Sequence, residues 1–307
     1  MFLSSKRSTA GILNFLTLLY LLSLPVFEHT RPGDDLRAKL TRDLERIAAD
    51  FDGRMGIAVK DLSGGESFAV NAETIFPQAS SIKIPVLIEL HRQAQAGKLR
   101  LTDRVELTRA QMAGGSGVLQ RFGDGTSALS LRDLAVLMIV LSDNTATNIL
   151  IERVGMENVN QMLRLNGLNQ TRLQRVMMDT GAQREGRENL STPREMAALL
   201  ELLHAGKLLD AANTAAAIEI LKYPKTTALR RGLPANVELA NKPGGIPGVR
   251  CDSGIVLLAG RPYAIAVMTS FAQDGAAAEN AIAEASRRVF EYFERLARST
   301  SDGARLP

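Results

Sequence analysis

Three short motifs in this chain carry residue types suited to acyl transfer without histidine or metal. Ser80-Ser81-Ile82-Lys83 sets a hydroxyl three residues before an amine. On a helix that spacing puts both groups on one face, close enough for the amine to take the hydroxyl proton. Ser142-Asp143-Asn144 and Lys242-Pro243-Gly244 supply a second serine and a second lysine from distant parts of the chain. Each motif alone has an ordinary reading: an N-cap serine before a solvated lysine, a capping cluster, and a strand end before a turn. Together, in this order, they describe a site that attacks amide-like carbonyls and forms an acyl-enzyme on Ser80.

The neighbours of each motif say which element must hold it. Pro85 follows Lys83 closely and is tolerable only if the helix has just begun, because a first-turn N–H has no intrahelical partner to lose. Ser80 is therefore expected at a helix N-terminus, where backbone N–H groups and the helix dipole favour a developing oxyanion. Ser142-Asp143-Asn144 closes an apolar helical run (Leu134, Leu137, Met138, Leu141) and opens the next. Lys242 ends a run from Val237 that reads as a strand. Proline at 243 removes a strand donor, so this strand should be an exposed edge.

The rest of the chain supplies the frame. Leu36, Leu40, Leu44 and Ile47 recur at helical spacing over about 34–50, and Ile282, Val289, Phe293 and Leu296 do so over about 277–297. Ile57 and Val59, the turn at Ser63-Gly64-Gly65, and Phe68 and Val70 predict a hairpin. Ile255 to Leu258 and Tyr263 to Thr269 predict two more strands. Helical patterns fill the middle: 86–97, 131–141, 145–154, 156–165 and 193–203. Strands at both ends with helices between them imply an α/β (α+β) fold. Its α/β lobe, a five-stranded antiparallel sheet flanked by helices, covers about 34–82 and 226–300, and an all-α lobe of about 83–225 is inserted in it. The least regular stretch, 175–191, is a polar loop long enough to suspect a function.

Composition excludes several classes. The 307 residues are 45% hydrophobic and 23% charged, as expected of a globular protein. Half of the formal charge of +4 sits in the first 31 residues, where Lys6, Arg7 and Arg31 stand against Glu28. What remains is too small and scattered for a nucleic-acid surface. Cys251 is the only cysteine, so no intrachain disulfide exists. Lys6-Arg7 precede an apolar run from about Gly11 to Phe27, the pattern of an export signal. The run is also nearly long enough to span a bilayer, so residues 1–31 read as a cleaved signal or a retained membrane anchor. Either places residues 32–307 outside the cytoplasm, in the periplasm or on the outer face of a membrane.

The three motifs form the set shared by class A β-lactamases and penicillin-binding proteins, with proline here in the middle of the third. Over about 34–297 the chain resembles a class A β-lactamase-type serine hydrolase. Leu134 to Ile151, Thr171-Arg172-Leu173 at the start of the irregular loop, and Cys251 to Leu258 carry the likeness further. The resemblance implies an α/β lobe and an all-α lobe with the site between them. It implies Ser80 as nucleophile, Lys83 as its base, and Ser142 as the proton donor to the leaving nitrogen. Asn144 would hold the substrate's amide side chain, and Lys242 would attract its carboxylate and polarise Ser142. Gly244 and Gly245 would line the substrate's path, the backbone N–H groups of Gly245 and Ser80 receiving the oxyanion. The partner implied is a small β-lactam or a D-Ala-D-Ala-like peptide, with no cofactor, no metal, no nucleic acid, and a monomeric state.

Two departures from the family pattern bear on the second half-reaction. Aligning the loop puts Met177 at the position of the deacylating glutamate and Gly181 at that of the asparagine which shares its water. General-base catalysis is worth roughly 10²–10⁴ in rate, so an acyl-enzyme would form but clear slowly. Asp179, Glu185 and Glu188 are the loop carboxylates available as substitutes, and their ordinary reading is a solvated loop. The other departure is Pro243, which lacks the hydroxyl that helps grip a substrate carboxylate.

Other chemistries fit less well. A Ser-His-Asp hydrolase needs a placed histidine, and His29, His91 and His204 stand near no nucleophile-elbow motif. No spacing resembles a zinc site, and Gly114-Gly115-Ser116-Gly117 is too short for a phosphate cradle. It is expected to be a flexible loop bordering the cleft. A penicillin-binding DD-peptidase shares the acylation machinery, and a non-catalytic β-lactam sensor would stop at the adduct.

Overall fold

The computed structural model describes residues 1–2, 32–122, 124–300 and 302–306. The segment expected to be a signal or anchor lies outside them. Among the described residues no helix is long and apolar enough to cross a membrane.

The chain runs through α1 (Pro32–Asp50), the hairpin β1 (Arg54–Asp61) and β2 (Ser67–Val70), and the short β3 (Phe76–Pro77). Helix α2 (Lys83–Gln95) follows, then the pair β4 (Arg104–Thr108) and β5 (Asp124–Ser130). Helices α3 (Leu131–Val140), α4 (Asn144–Val154), α5 (Met156–Leu165) and α6 (Thr180–Arg184) come next, then β6 (Leu190–Ser191). Three further helices, α7 (Pro193–His204), α8 (Ala211–Lys222) and α9 (Ala228–Arg231), lead to β7 (Leu239–Ile246), β8 (Val249–Val256) and β9 (Tyr263–Ser270). The last helix is α10 (Gly275–Ala297).

The main sheet has five antiparallel strands in the order β2-β1-β9-β8-β7. Its period-2 alternation explains how it is buried on both faces. On β9, Ile265 and Val267 face the cluster shared with Leu40 and Leu44 of α1 and Ile282, Val289 and Phe293 of α10. Ala264, Ala266 and Met268 face the other way, into a cluster continuous with Leu199 and Leu200 of α7, Leu87 of α2 and Met138 of α3. The mixed α/β fold read from the sequence is the one observed.

Strand β7 lies at the sheet edge, as Pro243 required, but it does not stop at Lys242. It continues through Gly244 and Gly245 to Ile246 before turning at Pro247-Gly248 into β8. Pro247 ahead of Gly248, whose φ is 75°, matches a type II turn. Strand β8 likewise begins at Val249, six residues before the expected Ile255, because Asp252 and Ser253 are polar yet fully buried.

Candidate active site

Ser80 sits in a 3-10 turn, Ala79–Ile82, that runs directly into α2 with Pro85 in its first turn. Ala79, immediately before it, has φ 43°. For a residue with a Cβ the left-handed region costs roughly 1–2 kcal/mol, so the turn is held by its surroundings. Those surroundings are β7. A Cβ at Gly244 would lie 2.9 Å from the Ser80 amide nitrogen and 2.8 Å from that of Ser81, closer than real Cβ atoms come. The Ser81 hydroxyl donates to the Lys242 carbonyl at 3.1 Å, stitching turn to strand. Only glycine lets the edge strand run this close to the nucleophile's backbone.

Ser142 lies between α3 and α4 and also has a left-handed backbone, φ 54°. Asp143 explains how that turn persists. One carboxylate oxygen accepts Ala146 N at 2.9 Å, capping α4, and the other accepts Val118 N and Leu119 N at 2.7 and 2.8 Å. Asn144 donates its Nδ2 to Gly114 O at 2.9 Å, and its backbone N–H donates to Ser116 O at 3.1 Å. The glycine-rich loop borders the cleft as expected. Far from being loose, it is pinned to this motif.

The three motifs meet on their side chains. Ser142 Oγ lies 2.8 Å from Ser80 Oγ and 3.0 Å from Lys83 Nζ. Lys83 is fully buried and also donates to Ser142 O at 2.8 Å and Asn144 Oδ1 at 3.0 Å. Burial pushes its pKa well below the ordinary lysine value, the nearby Lys242 charge adds to that, and Asp143 opposes it. A neutral amine has two N–H donors and one lone pair, and Lys83 faces two carbonyl-type oxygens and one hydroxyl. Three oxygens thus surround Lys83 Nζ, and it is burial that favours the neutral form able to receive a proton from Ser142. Sequence spacing suggested direct contact between Ser80 and Lys83; the path found instead passes through Ser142.

Lys242, fully buried on β7, donates to Pro243 O at 3.0 Å. Its pKa falls to about 7 because of burial, with Asp252 opposing and Lys225 adding to the fall. Ser80, Ser142, Lys242, Gly244 and Gly245 line one cleft of about 420 Å³. Arg231, Arg250 and Glu279 line it too. No motif marked these three, since surface arginines and glutamates at unremarkable spacing are common in any chain.

The irregular loop is ordered by its own polar groups. Arg175 and Glu188 form a largely buried ion pair at 2.9 Å, and Asn189 Oδ1 accepts Gln174 N and Arg175 N at 2.7 and 3.1 Å. Asp179 caps α6 by accepting Ala182 N at 2.9 Å, and Glu185 pairs with Arg187 on the surface. Of the three carboxylates weighed as substitute bases, Asp179 and Glu188 are thus engaged in holding the loop, and Glu185 is paired with a neighbouring surface arginine. Met177 is buried in the core, and Asn148 clamps its backbone from both sides, at 2.7 and 3.0 Å.

A family model described as the beta-lactamase enzyme family matches residues 39–293. The chain belongs to that family. It is 29% identical to beta-lactamase SME-1 of Serratia marcescens over 294 residues, covering 92% of this chain and 98% of that one. It is 30% identical to an imipenem-hydrolyzing beta-lactamase of Enterobacter cloacae over 261 residues, 82% of this chain and 89% of the relative. Among solved structures, a beta-lactamase from Sphaerobacter thermophilus superposes with a TM-score of 0.78 at 32% identity, over 84% of this chain and 97% of that one. The protein PBP-A superposes with a TM-score of 0.77 at 28% identity, over 83% and 96%. A leucine-to-glutamate mutant of PBP-A, solved as an acyl-enzyme complex with penicillin-G, is a further neighbour, with a TM-score of 0.76 at 28% identity over 84% and 97%.

Proposed function

We propose that this chain is a serine hydrolase that opens the β-lactam amide of penicillin-like molecules through an acyl-enzyme on Ser80. The observation that carries the reading is the continuous path from Ser80 Oγ through Ser142 Oγ to Lys83 Nζ, ending on an amine whose burial favours the neutral state. Ser80 Oγ attacks the lactam carbonyl as its proton passes to Ser142, whose own proton passes to Lys83. The carbonyl oxygen becomes an oxyanion received by the N–H groups of Ser80 and Gly245. The proton then returns through Ser142 to the ring nitrogen as the C–N bond breaks. Asn144 and Lys242 hold the substrate's amide side chain and carboxylate.

The cleft on this reading lies between an α/β lobe, about 34–82 and 226–300, and a lobe of about 83–225 that is mainly helical rather than all-α as expected, because it also holds the pair β4–β5 and the short β6. One chain supplies every side chain invoked, which supports action as a monomer. The basic and apolar residues before Arg31 support export, with the enzyme working in the periplasm or anchored facing outward.

A second reading, a penicillin-binding DD-peptidase that clears β-lactams slowly, is favoured by the loop. Met177 offers no base for water, and Asp179, Glu185 and Glu188 are engaged elsewhere. Intact mass followed over time after mixing with a penicillin separates the two. A transient adduct on Ser80 with steady product release supports the lactamase. A persistent adduct, with D-alanine released from a peptide mimic, supports the peptidase. A permanent adduct without turnover of either would mark a sensor. No adduct, with Ser80→Ala behaving like wild type, overturns all three.

A further inference from the structure

Another cavity, of about 290 Å³, adjoins the edge strand and takes no part in the acyl-transfer chemistry. Asn241 of β7 lines it, with Lys222 at the end of α8, Lys225 just beyond, Arg230 of α9, and Glu238. Asn241 precedes Lys242, so the two side chains leave β7 on opposite faces, and the strand separates this cavity from the cleft that Lys242 lines. Three cations meet one carboxylate here. Lys222 takes up that carboxylate, Glu238, at 2.7 Å and reaches Glu219 as well, at 3.3 Å. Lys225 and Arg230 have no ion pair among the described residues. Carbonyls hold them instead. Lys225 Nζ donates to Leu221 O and Tyr223 O at 2.6 and 2.8 Å, and Arg230 donates to Val237 O and Pro234 O at 2.6 and 2.5 Å.

An ammonium has three donors and a guanidinium five, so both cations keep N–H groups that no described residue accepts. Asp252 acts on Lys225 from β8, but its carboxylate is fully buried and accepts Leu229 N and Asn241 Nδ2 at 2.9 and 2.7 Å. Burial lowers Lys225 to about 8, which leaves it charged at pH 7. Two fixed cations with free donors on one cavity wall match a doubly charged oxyanion.

We propose that this cavity is a second anion site, taking a phosphate-type oxyanion between Lys225 and Arg230, and that its occupation strengthens the cleft's grip on carboxylate-bearing acyl donors. Burial pulls Lys242 down to about 7; Asp252 opposes the fall, Lys225 adds to it, and Lys83 faces Lys242 within the cleft. An anion that neutralises Lys225 therefore leaves more of Lys242 charged. Binding at this site is independent of the acyl-transfer reading; its effect on acylation rests on that reading.

Calorimetric titration of the wild-type protein with inorganic phosphate at pH 7.5, against sodium chloride of matched ionic strength, tests the site. Saturable binding should appear at roughly 0.1–1 mM, as for a few charge-assisted hydrogen bonds in a wet pocket. Lys225→Gln should weaken it at least about tenfold, and Lys225→Arg, which keeps the charge, should bind within about threefold of wild type. Saturating phosphate should raise the rate of Ser80 acylation by a penicillin roughly twofold to threefold at pH 7.5 and leave that by its methyl ester unchanged. Lys225→Gln should show the same gain without phosphate and no further response to it. No saturable binding to wild type, or equal binding to Lys225→Gln, overturns the inference. Phosphate that slows acylation by competing with the penicillin would place the anion in the cleft and overturn it too. If wild type binds phosphate through Lys225 but forms no adduct with either compound, the acyl-transfer reading fails and the anion site stands.

Discussion

At the scale of single residues, the chemistry depends on two lysines in opposite charge states. Lys83 must be neutral to accept a proton, and Lys242 must be charged to attract a carboxylate. Burial lowers both, and the Lys242 charge lowers Lys83 further. An amine loses its proton as pH rises through its pKa. Acylation by carboxylate-bearing substrates should therefore fall as pH rises through about 7, where Lys242 loses its charge. Lys242→Arg should remove the alkaline fall, because a guanidinium stays charged. A rate that is flat from pH 6 to 9 in wild type would contradict these charge assignments. The three motifs that carry this chemistry were legible in the sequence because each is a fixed local spacing. The relay through Ser142 was not, since it depends on where two turns with left-handed residues meet in space. Arg231, Arg250 and Glu279 left no sequence mark at all.

At the scale of elements, the site is a contact between a turn, a helix junction and an edge strand. Gly244→Ala should push β7 off the Ser80–Ser81 backbone. Overpacking of this kind costs roughly 1–3 kcal/mol, so thermal unfolding should shift down by several degrees. Acylation should fall far more than that, by about 10²-fold, because the nucleophile's amide is displaced from the oxyanion position. Retained acylation in Gly244→Ala would show that the close approach serves packing alone. The loop makes the converse prediction. Met177→Glu should speed clearance of the penicillin adduct by about 10²–10⁴ if its backbone, clamped by Asn148, aims the carboxylate at the acyl carbonyl. Unchanged clearance would mean that the loop has diverged in shape as well as in residue. Periodic elements such as α1, α5 and α10 were readable from their apolar spacing. Helix α8 was not, because Ala211–Lys222 is rich in alanine and shows no apolar stripe; β8 was shortened in the reading because its buried middle is polar.

At the scale of the whole molecule, assembling this site opposes stability. Lys83, Lys242 and Lys225 are all depressed by burial, Lys242 to about 7 and Lys225 to about 8. The unfolded chain keeps all three protonated up to the ordinary lysine range near 10.4. Above its folded pKa each lysine is thus charged when unfolded and neutral when folded. The unfolded state then binds more protons, so stability rises with pH. Each such group contributes up to about 1.4 kcal/mol per pH unit. The burial penalty is fully present below the folded pKa values and is relieved above them. Cys251, raised by burial to about 12, works the other way once an ordinary thiol ionises, and offsets the share of a single lysine only. Urea unfolding should therefore show stability increasing between about pH 7 and 9, against the usual maximum at 5–8. Lys242→Met removes the share of that burden carried by the edge strand. It should raise the unfolding midpoint at pH 7, flatten the rise toward pH 9, and slow acylation by carboxylate-bearing substrates. A variant that loses both stability and acylation would show instead that the Lys242 amine contributes more to holding β7 in place than its burial costs.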